Sequence, residues 1–184
     1  MIDSQSESEI VSGLRDGDRK AWDALCQTFE DRLWRHISRL VGKDHAAVCD
    51  VFQETLMAVA RSGRSISSDT KLWPWLAKIG HNQAALFWRI RYRDKRFEQT
   101  QEAQPNGNNS DPAAALIQQE TNMLIRRLLT EMDADYAVVL TAKYIEGMSV
   151  AQIVELFGGT TESVRSRLAR ARKEFRQRYE RAVD

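Results

Sequence analysis

The segment TTESVRSRLARARKEF, Thr160 to Phe175, joins four arginines and a lysine to an apolar repeat of helical spacing. At about 100° per residue Val164, Leu168, Ala171 and Phe175 share one stripe, while Ser166, Arg170 and Lys173 point away from it. From Thr160 to Arg178 there are seven basic residues against two acids, Glu162 and Glu174. A solvated face laced with i,i+4 pairs uses the same residue types. An excess of this size repels itself unless a polyanion neutralises it, and arginines beside short polar side chains suit phosphates and base edges. Upstream, SVAQIVELFGG gives Ser149 as an N-cap, Gln152 as its box partner and an apolar stripe of Val150, Ile153, Val154 and Phe157. Gly158 and Gly159 end that helix and Thr160 caps the next. Two helices across so short a turn form a helix-turn-helix, whose second member enters the major groove. A plain αα-hairpin would carry the same caps; the arginines favour DNA.

A second basic region runs from Arg61 to Phe97, with nine Lys/Arg against Asp69 and Asp94. Turning the wheel from Leu72 sets Lys78, His81, Ala85, Trp88, Arg89 and Tyr92 opposite the apolar stripe, on a face expected to be wet. Exposed aromatics stack on bases and neighbouring cations meet phosphates, so single-stranded nucleic acid fits this face. Packing of the same rings against the rest of the chain is the competing reading.

The elements that position these surfaces are helical. Trp22, Leu25, Cys26, Phe29, Leu33, Ile37, Leu40 and Val41 recur at helical spacing, as do Val48, Val51, Phe52, Thr55, Leu56 and Val59. After RSGRSISSDT a third long helix follows on Leu72, Trp75, Leu76, Ile79, Leu86, Phe87 and Ile90, with Pro74 in its first turn. Strand-like alternation is absent. The stretch QTQEAQPNGNNSDP, Gln99 to Pro112, is polar and aperiodic, the composition of a flexible tether. MLIRRLL and YAVVLTAKYI then give two helices, the second capped by Asp133 and ended by Gly147. The expectation is an all-α fold of two small helical domains joined by a flexible linker: residues 1–97, a linker over 98–118, and 119–184 with the helix-turn-helix.

Composition excludes several classes. The chain has 184 residues and a formal net charge of +1, so a nucleic-acid partner must be met by local patches. Two cysteines, Cys26 and Cys49, are too few for a disulfide scaffold or a zinc site, and no metal or other cofactor is expected. His36, His45 and His81 lack an accompanying nucleophile elbow, phosphate loop or metal spacing, so the chain is not expected to be an enzyme. No run reaches membrane-spanning length and no signal peptide is evident, which predicts a cytoplasmic protein without membrane insertion.

The stretch DVFQETLMAVARSGRSISSDTKLWPWLAKIGHNQAALFWRIRYRDKR resembles the core-binding and minus-ten region of extracytoplasmic-function (ECF) sigma factors of the sigma-70 family. YAVVLTAKYIEGMSVAQIVELFGGTTESVRSRLARARKEF resembles their C-terminal domain, which reads the minus-thirty-five element. The resemblance implies a transcription initiation factor whose partners are core RNA polymerase, through its β′ and β subunits, promoter DNA and an anti-sigma factor or other regulator. By motif it assigns Asp50, Gln53 and Glu54 to the β′ coiled coil and the Ser62–Thr70 loop, with Arg64, to capture of a flipped base. Lys78, Asn82, Trp88, Arg89 and Tyr92 fall on the opened strand, and Thr161, Ser163, Arg165, Ser166, Arg167 and Arg170 on the recognition helix. Met132-Asp133 stands where the family has Leu-Pro, Gly159 replaces an apolar turn residue, which is expected to loosen the turn, and GHNQAALFW lacks a usual aspartate. A dimeric helix-turn-helix regulator is the alternative; it accounts for residues 119–184 and leaves Gln53 and Glu54 idle.

Overall fold

The structure, a computed structural model, describes the backbone of residues 4–97 and 112–183 and the side chains of residues 6–91 and 117–183. Most of the expected tether and the side chain of Tyr92 lie outside the described residues. The described residues form eight α-helices and no strand: α1 (Ser4–Asp16), α2 (Arg19–Val41), α3 (His45–Ser62), α4 (Leu72–Phe97), α5 (Pro112–Glu131), α6 (Ala134–Leu140), α7 (Val150–Phe157) and α8 (Thr161–Val183). Helix α5 therefore begins inside the stretch expected to be linker.

Local chemistry explains most boundaries. Asp18, Asp44 and Asp133 cap α2, α3 and α6 by accepting from the amides of Lys20, Ala47 and Asp135 at 2.9, 3.2 and 2.9 Å. Ser149 and Gln152 form the expected reciprocal box at the start of α7. Helix α1 was not anticipated. Its Ile10, Val11 and Leu14 are buried against α2, and a Cβ on Gly13 would lie 2.5 Å from that of Ala21, so only glycine admits this approach. The start of α4 is completed from α1: the Glu7 carboxylate accepts from the Leu72 amide at 2.6 Å, with Lys71 Nζ 3.4 Å from its other oxygen.

Helices α1 to α3 pack around the first half of α4, with Leu25, Leu33, Ile37, Leu40, Leu72, Trp73 and Leu76 almost fully enclosed. Each such side chain contributes roughly 1.5–3 kcal/mol of burial. Helices α5 to α8 form the second group around Leu129, Val139, Ile153, Val164 and Leu168, and the two groups share one apolar cluster. Helix α4 is flanked on two sides, by α2 and α3 and by α5 and α6. That explains a departure from the expected stripe. Leu86 and Ile90 are each 44% exposed, while His81 and Trp88, on the side expected to be wet, are buried. Helix α6 continues as a π-type turn over Thr141–Ile145, with the Glu146 amide donating to the Thr141 carbonyl at 2.9 Å, before Gly147 turns the chain at φ +70°.

Candidate nucleic-acid and polymerase interfaces

Helices α7 and α8 meet across Gly158, Gly159 and Thr160. Both glycines have positive φ, +74° and +89°. At the head of α8 the Ser163 amide donates to Thr160 Oγ1 at 3.1 Å, the Thr160 amide donates to Ser163 Oγ at 2.9 Å, and that hydroxyl donates to the Thr160 carbonyl at 2.8 Å. A Cβ on Gly159 would stand 2.8 Å from Ser163 Oγ. Gly159 therefore does not loosen the turn as expected; the tight cap requires it, for steric and conformational reasons together.

Val164, Leu168 and Ala171 are buried, so the stripe docks as its spacing requires. Thr161, Ser163, Arg165 and Arg170 are exposed, and Ser166 and Arg167 are half-buried. Arg170 donates to Ser166 Oγ at 3.0 Å. The helix thus offers a cationic ridge at its amino-terminal end, although the Ser163 hydroxyl is spent on the cap.

The face of α4 is more mixed. Lys78, Asn82 and Arg89 are exposed, as is Arg64 in the 3₁₀ turn Gly63–Ser65 after α3, its guanidinium beside Gly17. Trp88 corrects the sequence expectation of a wet ring: it is 9% exposed and its Nε1 donates to the Leu40 carbonyl at 2.9 Å. His81, 2% exposed, donates from Nε2 to the Leu129 carbonyl at 2.8 Å. The cause lies 48 residues along the chain for each, because the carbonyls that satisfy these rings belong to α2 and α5. Lys78 Nζ sits 3.2 and 3.1 Å from the two oxygens of Asp135. Asn82, Trp88 and Arg89 line one side of a cleft of about 880 Å³ whose other side carries Arg127, Thr130 and Met132. In the loop before α4 the Ser67 hydroxyl donates to Asp69, which holds that carboxyl below its usual range.

On α3, Asp50, Gln53 and Glu54 are exposed while Val51 and Thr55 are buried, so the three polar residues share the outer side of the helix. Two residues without a sequence signal sit between the halves. One is Asp135. The other is Glu146, 11% exposed, with Arg39 Nη1 at 3.1 Å, Arg32 Nη2 at 3.6 Å and His36 Nδ1 at 3.8 Å. Burial pushes the Glu146 carboxyl up, but His36 and the two guanidinium groups outweigh it and leave it below its usual range. Burial also lowers Arg32, whose guanidinium lies 4.2 Å over the Trp73 ring. Cys26 is half-buried, and its thiol is pushed up by burial and by Glu30 and Asp23. Among the described residues no group of three or more metal-ligating side chains converges, and no helix is long and apolar enough to cross a membrane.

The family described as Sigma-70, region 4 matches residues 122–175. Over 181 residues the chain is 23% identical to the ECF RNA polymerase sigma-E factor of Haemophilus influenzae, covering 94% of this chain and 95% of that protein. The factor of the same name from Escherichia coli K12 is also 23% identical, covering 94% of both. Among solved structures the chain is similar to CnrH in complex with the cytosolic domain of CnrY, at 20% identity and a TM-score of 0.51, covering 95% of this chain and 97% of that one. That likeness shows the helical fold.

Proposed function

The chain belongs to the sigma-70 family as a member of the extracytoplasmic-function type, and from that premise we infer that it is a dissociable RNA polymerase subunit that directs promoter recognition and transcription initiation. It makes no covalent change in its substrate and acts in the cytoplasm. The observation that carries this reading is the likeness over 181 residues to relatives named sigma-E factors.

The residue roles follow from that reading. Residues 1–97 bind core polymerase and the minus-ten element, 98–118 join the halves, and 119–184 read the minus-thirty-five element. Asp50, Gln53 and Glu54, all exposed on α3, engage the β′ coiled coil. Arg64, Lys78, Asn82, Trp88, Arg89 and Tyr92 follow the opened strand. Trp88 would serve by holding α4 against α2, since its indole N–H is occupied at Leu40. Thr161, Arg165, Ser166, Arg167 and Arg170 meet the duplex, and Ser163 orders the end of the helix that carries them. An anti-sigma factor or comparable regulator is the expected inhibitory partner.

The test is the grip on polymerase. Exposed polar side chains on a helix contribute about a kcal/mol or less to folding, so Gln53→Ala with Glu54→Ala should leave the melting temperature nearly unchanged. Losing charge-assisted bonds at an interface should cost about 2 kcal/mol or more, roughly a thirtyfold loss of core-polymerase affinity. Titration of core polymerase with both proteins checks it. Equal affinities, or a tight homodimer of the wild type under the same conditions, would refute the reading.

A further inference from the structure

The loop between α3 and α4, which the resemblance assigns to the captured base, is held from outside by α1. From Arg64 to Asp69 only Ile66 is buried; Arg64, Ser65, Ser67, Ser68 and Asp69 are exposed. The ties within the loop are short. Ser65 Oγ donates to the Ser62 carbonyl at 3.0 Å, the Thr70 amide to the Ser67 carbonyl at 3.1 Å, and the Ser67 hydroxyl to Asp69. Such bonds shape a turn without fixing where it stands. Its ends are fixed by residues far back in the chain. At the entrance Gly63 is buried, and a Cβ on it would lie 3.8 Å from that of Leu14. The Arg64 guanidinium lies over Gly17, where a Cβ would stand 3.3 Å from Nη2. Gly17 has φ +75°, so conformation and space both exclude a side chain there. At the exit α4 begins after Lys71, whose side chain has no acceptor to offer the first amides. Glu7 supplies one from α1: Oε1 accepts from the Leu72 amide at 2.6 Å, and Oε2 lies 3.4 Å from Lys71 Nζ. Its side chain is 18% exposed, and the carboxylate sits at the positive end of α4.

We propose that α1 and the turn after it are the frame of the base-capture loop, with Glu7 and Gly17 as positioning residues that set base preference at one promoter position without touching DNA. This rests on the sigma reading and extends it to a helix to which that reading gives no role of its own. A pocket for one unpaired base must hold its donors and acceptors at fixed separations before the base arrives. Ordering an exposed loop only on binding would cost much of what a few hydrogen bonds return. Cations along α4, by contrast, hold phosphates whatever the base between them. A loop freed at its exit therefore loses discrimination before it loses affinity.

Holoenzyme assembled from core polymerase and the full chain, presented with a promoter library randomised over the minus-ten element, tests this. The wild type should select one base at the captured position by roughly five- to hundredfold. Glu7→Ala should lower that preference about three- to tenfold, the worth of one capping bond, and leave core-polymerase affinity and minus-thirty-five preference unchanged. Glu7→Gln, which keeps an acceptor for the Leu72 amide, should restore most of it. Gly17→Ala should relax the same position. Gly147→Ala is the control: its φ is +70° with open space around it, so it carries similar backbone strain away from the loop and should keep the preference. In parallel, hydrogen exchange over residues 63–72 of the free chain should quicken about three- to tenfold in Glu7→Ala, with α2 unchanged. The proposal is overturned by an undiminished preference in Glu7→Ala, by an equal loss in Gly147→Ala, or by a loss spread evenly over every randomised position, which marks damage to the whole fold. A wild type that selects no sequence with core polymerase defeats the sigma reading instead. Exchange over residues 63–72 then decides the frame by itself: faster exchange in Glu7→Ala keeps it, and equal rates overturn it.

Discussion

His81 has a place for one proton and none for a second. Its Nε2–H is committed to the Leu129 carbonyl, while Nδ1 is buried without a partner. Burial therefore holds this imidazole below its usual value near 6.5, against the opposing pull of the Leu129 bond. The unfolded chain then binds the extra proton more readily than the folded one, so stability rises with pH through the window between the lowered folded value and about 6.5. Below that window Glu146 acts in the same sense, its stabilisation being present above the ordinary carboxylate range and lost as pH falls through its depressed value. The wild type should melt at a lower temperature at pH 5 than at pH 7, and His81→Gln should flatten the slope between them. Thermal melts at constant ionic strength measure this, and parallel slopes for the two proteins would count against the assignment.

The eighth helix shows what an element owes to its first turn. Thr160 and Ser163 satisfy each other's amides, and a hydroxyl lost from such a cap costs about 1 kcal/mol. Thr160→Ala should lower the melting temperature and weaken duplex binding together, because the arginines lose the ordered end that presents them. Arg165→Ala should leave the melt alone, weaken promoter binding by roughly 1–3 kcal/mol if it meets a base edge, and flatten the salt dependence if it meets phosphate. Unchanged binding and salt slope for Arg165→Ala would remove it from the interface. These features were legible in sequence because they are local: a box spans four residues, a stripe repeats every turn, and Gly158 with Gly159 marks the break. Burial of His81 and Trp88 was not legible, since a wheel assigns one buried side to a helix and α4 has neighbours on two. The π turn at Thr141–Ile145 gave no signal either, because its register was not written into local apolar spacing. Helix α1 has a local signal in Ile10, Val11 and Leu14, which share one face at helical spacing.

Over the whole molecule, the formal charge of +1 hides a separation in which the cations of α8 lie outward while those of α2 and α4 are partly spent on Asp135 and Glu146. The contact between the halves is thus partly ionic and partly apolar. A nick within Gln99–Pro112 should leave two pieces that co-elute at low ionic strength and separate as salt screens the pairs, with each piece still helical. Size-exclusion chromatography of the nicked chain across a salt series reads this out, and pieces that unfold on separation would refute the division into two units. The first helix carries a consequence for synthesis. Glu7 precedes the Leu72 amide that it caps by 65 residues, so on a nascent chain α1 can seat its apolar side on α2 while the Glu7 carboxylate has no partner amide until α4 has left the ribosome. The polar tie between α1 and α4 is thus completed after the apolar contact between α1 and α2 can form. Hydrogen exchange at the Leu72 amide would then report whether α1 is seated, and a bulky fusion that unseats it would fray the start of α4 beside the loop assigned to base capture.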